Sequence, residues 1–473
     1  MSRPFATASL AAVCALAFTA CAHTSAQSST TSFSSPSVPT SAVSTPPSRV
    51  TLVSTPASST STAPADRHWQ LHLNNDPQPY LIRGVTFSGT GGPAAYDRDM
   101  ARIASLGVNT IRTWGIGADT RALLDAAHRH NLHVLLGLWF RHGQPGAEAD
   151  DSFDYTQDTA GIAAQQASVL AAVRTYKDHP ALLAWGVGNE VFLNLPNDDA
   201  KTAYALALEA ACREIKRLDP HHPLVAVDAF DKGVRWIERY CPSVDIHGIN
   251  VYGPGLAAVA PALAKAGSTR PWLITEYGSR GDWDTPKDKN GVKLESSDDD
   301  KYRVITDAWT KTLREPRETG RCLGLFVFNY SNSFTYTNLK HGLLLNDSLR
   351  PAWHAVHEAY TGKKPAFPLL QITGFIAKKH STSPEDAVEI QLYTNDTSGQ
   401  PSDISFAYNL RAAAARSERD AVLPLASRPG PTPHTWLITP PPVSGALKLY
   451  ALVRDSHHTV TTATTSIILP LSQ

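Results

Sequence analysis

Between Trp69 and Pro365 the sequence alternates short apolar runs with segments of helical period, and this alternation constrains the fold more than any other feature. The runs lie at 81–87, 109–113, 133–138, 182–187, 224–227, 246–250, 272–275 and 323–328. The segments between them carry helix punctuation. Met100, Ile103 and Leu106 share one face, and Gly107 follows where a left-handed cap is expected. Asp119-Thr120 opens the next helix as its cap, Pro180 and Pro220 stop two others, and Pro351 suits a first helical turn. Repeated strand–helix units of this kind stack as a parallel sheet, and eight of them close into a (β/α)8 TIM barrel spanning 67–365.

The flanks have a different texture. From 366 to 473, alternating segments such as EIQLYTND and ALKLYALVRD, separated by Pro and Gly turns, predict a small all-β sandwich of immunoglobulin-like type. In the second, Leu447, Leu449 and Ala451 share one face and Lys448, Tyr450 and Leu452 the other. Residues 22–66 are almost entirely Ser, Thr, Pro and Ala, a composition without the apolar side chains to form a core, and read as a disordered tether. Residues 1–21 have the layout of an export signal: Arg3, an apolar stretch, then small residues ending at Cys21. Phe18-Thr19-Ala20-Cys21 resembles a bacterial lipobox, which implies a lipid-modified Cys21 and a lipoprotein anchored in the membrane, facing the periplasm or cell exterior; a plain secretory signal is the alternative.

A formal net charge of zero, with no dense basic cluster, excludes a phosphate-backbone partner such as nucleic acid. Cys212, Cys241 and Cys322 lie in the folded part, none in a CxxC pair, and take no assigned chemistry. No metal site and no cofactor is expected.

Two acids stand at the ends of apolar runs, Glu190 in AWGVGNEV after the fourth and Glu276 in LITEYG at the seventh. In a barrel of this kind the strands deliver their reactive groups to one C-terminal mouth, so carboxylates on strands four and seven face each other across it. Paired carboxyls flanking a bound sugar are what glycosidic bond cleavage requires, one to donate a proton and one to attack the ring or activate water.

VNTIRTW, WGVGNE, HGINVYG and ITEYG, in that order on successive strands, resemble the retaining glycoside hydrolases of clan A, especially the family 2 catalytic barrel, and are also similar to β-1,3-glucanosyltransferase barrels. The resemblance covers residues 80–360. It implies that Glu190 is the acid/base and Glu276 the nucleophile, with carboxyls about 5–5.5 Å apart and a covalent glycosyl-enzyme intermediate. The acid/base must hold a proton near neutrality while the nucleophile stays ionised, for which a nearby cation is needed. Arg112 is the candidate cation, Tyr252 a candidate donor to the nucleophile, and Asn189 a candidate partner for a sugar hydroxyl.

Sugar rings present apolar faces, so Trp114, Trp139, Tyr277 and Phe328, at or just past strand ends, are candidate platforms. Phe328 stands where clan A barrels commonly carry a Trp. His142, in the acid-containing third loop, is a candidate contact to a sugar hydroxyl, and Trp283, in the long loop after strand seven, could reach over the cleft. Asp298, Asp299 and Asp300 read as solvated helix-start charges. The expected substrate is a β-linked oligo- or polysaccharide such as a glucan. A transglycosylase using the same two acids, and a catalytically silent carbohydrate-binding lipoprotein, are the alternatives.

Overall fold

Two antiparallel strands, β1 (Val50–Pro56) and β2 (Arg67–Leu73), precede the barrel. The fold is taken from a computed structural model, which describes residues 45–56, 67–89, 91–143, 152–281, 283–331, 336–379, 387–395, 403–410 and 421–469. The leader with Cys21 and the loop acids Glu148, Asp150 and Asp151 lie outside these residues. Of the stretch read as a disordered tether, 22–44 and 57–66 also lie outside them, whereas 50–56 is an ordered strand: alternation in RVTLVSTP points Val50 inward while its neighbour Thr51 is exposed. Val50 and Leu71 pack with Ile82, Leu183, Val225, Leu273 and Leu323 from the starts of the barrel strands. The hairpin thus closes the end of the barrel opposite the mouth, and Ser48 just before it hydrogen-bonds the Leu182 carbonyl at 2.7 Å.

The barrel strands are β3 (Ile82–Phe87), β4 (Thr110–Arg112), β5 (His133–Leu138), β6 (Leu182–Val187), β7 (Leu224–Ala229), β8 (Ile246–Asn250), β9 (Trp272–Tyr277) and β10 (Cys322–Tyr330). They close in the order β10-β3-β4-β5-β6-β7-β8-β9, each neighbouring pair parallel. Every residue of β6, β8 and β9 is buried, because one face fills the barrel interior and the other packs on helices.

Those helices include α1 (Pro93–Ser105), α2 (Thr120–Arg129), α3 (Thr159–Tyr176), α4 (Asp198–Leu218), α5 (Val234–Tyr240), α6 (Val259–Lys265), α7 (Asp298–Asp307), α8 (Arg314–Glu318), α9 (Tyr336–His341) and α10 (Pro351–Thr361). Caps set several starts: Asn197 and Ser297 each accept a backbone N–H from the first turn of α4 and α7. Pro351 occupies the first turn of α10, and Gly362, at φ 74°, ends it.

After a two-strand ribbon, β11 (Leu344–Leu345) with β12 (Ser348–Leu349), the chain builds two four-stranded antiparallel sheets. Their strands are β13 (Ile372–Lys379), β14 (Val388–Thr394), β15 (Asp403–Asn409), β16 (Val422–Leu425), β17 (Ser427–Pro429), β18 (Thr435–Ile438), β19 (Gly445–Arg454) and β20 (Val460–Leu469). One sheet runs β13-β14-β18-β17 and the other β16-β15-β19-β20. Leu447, Leu449 and Ala451 point into the core between the sheets. The opposite face of β19 is also buried: Tyr450 and Leu452 pack with Leu339 and Leu345 of the barrel segment after β10.

Candidate active site

Three donors converge on Glu276. Its Oε1 accepts from Arg112 Nη1 at 2.8 Å and from the Trp114 indole N–H at 2.9 Å, and its Oε2 accepts from the Tyr252 hydroxyl at 2.7 Å. They come from the end of β4, the turn after it and the turn after β8, so strands far apart in sequence supply one acceptor's shell. A guanidinium and an indole N–H can only donate, so Oε1 accepts in both of its bonds.

Arg112 anchors the site. Its side chain is 2% exposed and that of Glu276 8%, a pairing that burial makes costly unless every donor is used. Arg112 Nη1 also donates to the Thr275 carbonyl at 2.9 Å, and Nη2 donates to Asn189 Oδ1 at 2.7 Å. The guanidinium fork thereby spans from β9 to the turn after β6. Gly137 permits the neighbouring backbone course: a Cβ there would lie 2.3 Å from the Trp114 carbonyl carbon and 2.5 Å from the Thr113 oxygen.

Glu190 lies beyond β6 on a backbone turned sharply by two left-handed residues, Gly188 at φ 72° and Glu190 itself at φ 53°. Gly188 is required twice over, since a Cβ would approach the Tyr204 hydroxyl to 2.5 Å. A left-handed Glu costs on the order of 1 kcal/mol or more and persists only where its surroundings hold it. Here the Glu190 N–H donates to the Val227 carbonyl at 3.2 Å, Asn194 Nδ2 donates to the Glu190 carbonyl at 2.9 Å, and Asp228 Oδ2 accepts the Phe192 N–H at 2.8 Å. Burial pushes the Asp228 carboxyl up to about 7, against the backbone N–H groups of Phe192 and Ala229, which favour its charge.

Asn250, the last residue of β8, ties Glu190 to the network that Arg112 extends to Glu276. Its Nδ2 donates to Glu190 Oε1 at 2.9 Å and to Asn189 Oδ1 at 3.1 Å, while its Oδ1 accepts from Thr275 Oγ1 at 2.8 Å. Arg112, Asn189, Glu190, Asn250, Tyr252 and Glu276 thus form one hydrogen-bonded constellation at the mouth. Asn189 is 2% exposed and its Oδ1 is taken by Arg112 and Asn250, so only its amide N–H groups can be offered to a ligand.

The half-buried Phe328 ring lies 6.0 Å edge-to-face from Trp114 and 5.9 Å from Tyr252, on the same mouth. His341 joins it, 5.5 Å from both Tyr252 and Phe328, and Trp283, 67% exposed, stands 5.3 Å edge-on to Tyr252. Trp139 is half-buried with its ring 4.9 Å from His142.

Two candidates do not reach the mouth surface. His142 is fully buried, its Nε2 2.7 Å from the Asn189 carbonyl; the imidazole supports the turn that carries Glu190. Tyr277 points out of the barrel interior, buried, with its hydroxyl donating to the Gly253 carbonyl at 3.3 Å. Burial and the nearby Asp307 charge raise its phenol well above the usual range. Asp298, expected as a solvated charge, is also buried and paired with Arg350 and Lys301. Cys212, Cys241 and Cys322 are buried free thiols, and burial pushes the latter two up to about 12, out of reach of thiolate chemistry near neutrality.

Asn250 and His341 are the mouth residues that sequence reasoning passed over. Asn250 had a signal, its place at a strand end inside HGINVYG; His341 had none, since it follows a segment without barrel periodicity.

No protein-family model matches the chain. It is similar to mannan endo-1,4-beta-mannosidase 7 of rice, Oryza sativa subsp. japonica, with 24% identity over 39% of this chain and 67% of that protein. Among solved structures it is similar to a β-glucuronidase of Bacteroides uniformis, with 16% identity and a TM-score of 0.46 over 85% of this chain and 49% of that one. It is likewise similar to the endo-1,4-β-mannanase of Rhizomucor miehei, with 14% identity and a TM-score of 0.44 over 62% of this chain and 98% of that one. The chain spans about half the length of the glucuronidase it matches.

Proposed function

We propose that this chain is a retaining glycoside hydrolase acting on a β-linked polysaccharide, with Glu276 as nucleophile and Glu190 as acid/base. The observation that carries the reading is the triple donation from Arg112, Trp114 and Tyr252 to Glu276, facing a Glu190 tethered to the same constellation by Asn250. Such a shell suits a group that must begin as an anion, become an ester oxygen, and leave as an anion again.

In the first step Glu276 attacks the anomeric carbon while Glu190 delivers its proton to the departing glycosidic oxygen. In the second, Glu190 takes a proton from water, whose oxygen attacks the same carbon and releases Glu276. Two inversions give net retention. The two carboxyls supply both the nucleophile and the proton transfers, so the reaction calls for no metal and no cofactor. Trp114 and Phe328 offer apolar ring faces beside these polar groups, the combination that sugars require.

The rice relative supports β-1,4-mannan as the first substrate to test, with glucans and galactans beside it. The leader ending at Cys21 supports an exported protein held at a membrane by lipid. The test is hydrolysis of that panel by the wild type and by the Glu190→Ala and Glu276→Ala variants, with the anomer of the first product read by NMR. We expect a β product from the wild type and a loss of about 100-fold or more in each variant. Full activity in either variant, or an α product, would overturn the assignment.

A further inference from the structure

The segment 283–297, which begins with Trp283, is seated on the C-terminal sandwich. Its hairpin bridges Lys287 to Lys293 around a turn at Asp288–Gly291, where Asp288 Oδ1 accepts the N–H groups of Asn290 and Val292, each at 2.9 Å. From that turn Asn290 Nδ2 donates to Ser466 Oγ at 2.8 Å and to the Ser466 carbonyl at 3.2 Å, and Ser466 Oγ donates to Asp288. Further along, the Glu295 N–H donates to Thr464 Oγ1 at 3.0 Å, and Asp298 Oδ2 accepts the Thr462 N–H at 2.7 Å.

Thr462, Thr464 and Ser466 alternate along β20 and so share the face turned away from the sandwich core. Opposite them in register on β19 stand Leu452, Tyr450 and Lys448. Lys448 lies 3.6 Å from the buried Glu295, and Tyr450 and Leu452 pack against Leu339 of α9, the helix that ends in His341. One sheet face therefore backs two mouth elements, the Trp283 loop and α9. Both present aromatic rings to Tyr252, whose hydroxyl binds Glu276.

We propose that the sandwich is a positioning module for a sugar-binding wall: its β19–β20 face holds the 283–297 segment so that the exposed Trp283 indole forms a stacking platform beside the cleaved bond. The inference rests on the glycosidase reading and deepens it. Trp283 is one ring removed from the nucleophile, and an indole with that exposure has a face open to a polysaccharide ring. The sandwich acts through this loop on substrate grip and leaves the chemistry at the two acids alone.

The experiment is a double-mutant cycle between the clamp, Asn290→Ala with Ser466→Ala, and Trp283→Ala, in the full chain. Steady-state kinetics would be measured on a small aryl β-glycoside and on a long oligosaccharide of the preferred polymer, and hydrogen exchange followed across 283–297. With Trp283 present, breaking the clamp should raise KM for the oligosaccharide by about five-fold, the scale of one aromatic contact, with kcat on the aryl glycoside unchanged and exchange in the loop faster. In the Trp283→Ala background the clamp substitutions should raise KM no further. A KM indifferent to the clamp, or equal effects in both backgrounds, would overturn this inference alone. A wild type inactive on every β-glycoside would instead overturn the glycosidase reading on which it rests.

Discussion

Replacing Tyr252 with Phe removes one oxygen atom from the site and keeps the ring contacts to Phe328, His341 and Trp283. That oxygen donates to Glu276 Oε2 at 2.7 Å, within the range of a hydroxyl bound to a carboxylate. Its effect on the two chemical steps differs. In the first, Glu276 loses its charge on the way to the transition state, so a bond to the ionised carboxylate gives the attack no advantage. In the second, Glu276 regains its charge as it departs, and the Tyr252 hydroxyl stabilises it. A hydrogen bond to a full charge is worth about 1.5–3 kcal/mol, and half of that, realised at a transition state with partial charge, slows departure about four- to twelve-fold. The covalent intermediate then accumulates. Pre-steady-state assays with an aryl β-glycoside should show a burst of released phenol near one equivalent of enzyme, with kcat and KM falling together and kcat/KM changing less than either. A Tyr252→Phe enzyme with unaltered kcat, or one whose kcat falls with neither a burst nor a lower KM, would show that the hydroxyl does not assist the departure of Glu276.

Arg112→Lys retains the charge but cannot reach Glu276 and Asn189 at once, so kcat/KM should fall about ten-fold or more; steady-state kinetics showing wild-type values would deny the fork its role. Glu238 is opposed by burial, but hydrogen bonds from His247 and Ser268 and the charge of Arg270 outweigh it and hold the carboxyl at about 2, below its ordinary 4.5. Because the folded value is the lower one, its stabilisation is complete above pH 4.5 and is lost as pH falls toward 2. Glu238→Gln should therefore lower Tm at pH 7 and the gap to wild type should close on acidification; a gap that stays constant with pH would contradict the linkage. Gly137→Ala forces a Cβ into the Trp114 and Thr113 backbone and should destabilise by about 3 kcal/mol in denaturant titrations, whereas a neutral result would mean the strands can part at that point.

The barrel is legible in the sequence because parallel strands are buried on both faces and so appear as apolar runs. The run at 246–250 coincides with β8, and that at 182–187 with β6. Glu190, Glu276, Arg112 and Tyr252 were visible because strand ends in such a barrel share one mouth. His142 was not: an imidazole in a polar stretch gives no sign that it is buried against the Asn189 carbonyl. β1 was hidden by composition, since a few alternating apolar residues in a Ser-, Thr- and Pro-rich stretch look like the rest of it until Leu71 and the barrel floor supply a partner. Asp298 shows the same limit for charges. Three acids at a helix start suit the helix dipole, and only the approach of Arg350 and Thr462, distant in the chain, buries the first of them.

The division of labour between the two acids is tested most directly by azide. In Glu276→Ala the small anion can enter the space left by the carboxylate and attack the anomeric carbon of an aryl β-glycoside carrying a good leaving group. Millimolar-range azide should restore turnover to this variant, and the product should be the α-glycosyl azide, inverted because a single displacement has replaced two. No rescue of Glu276→Ala, or an α-glycosyl azide formed by Glu190→Ala in its place, would contradict Glu276 as the nucleophile.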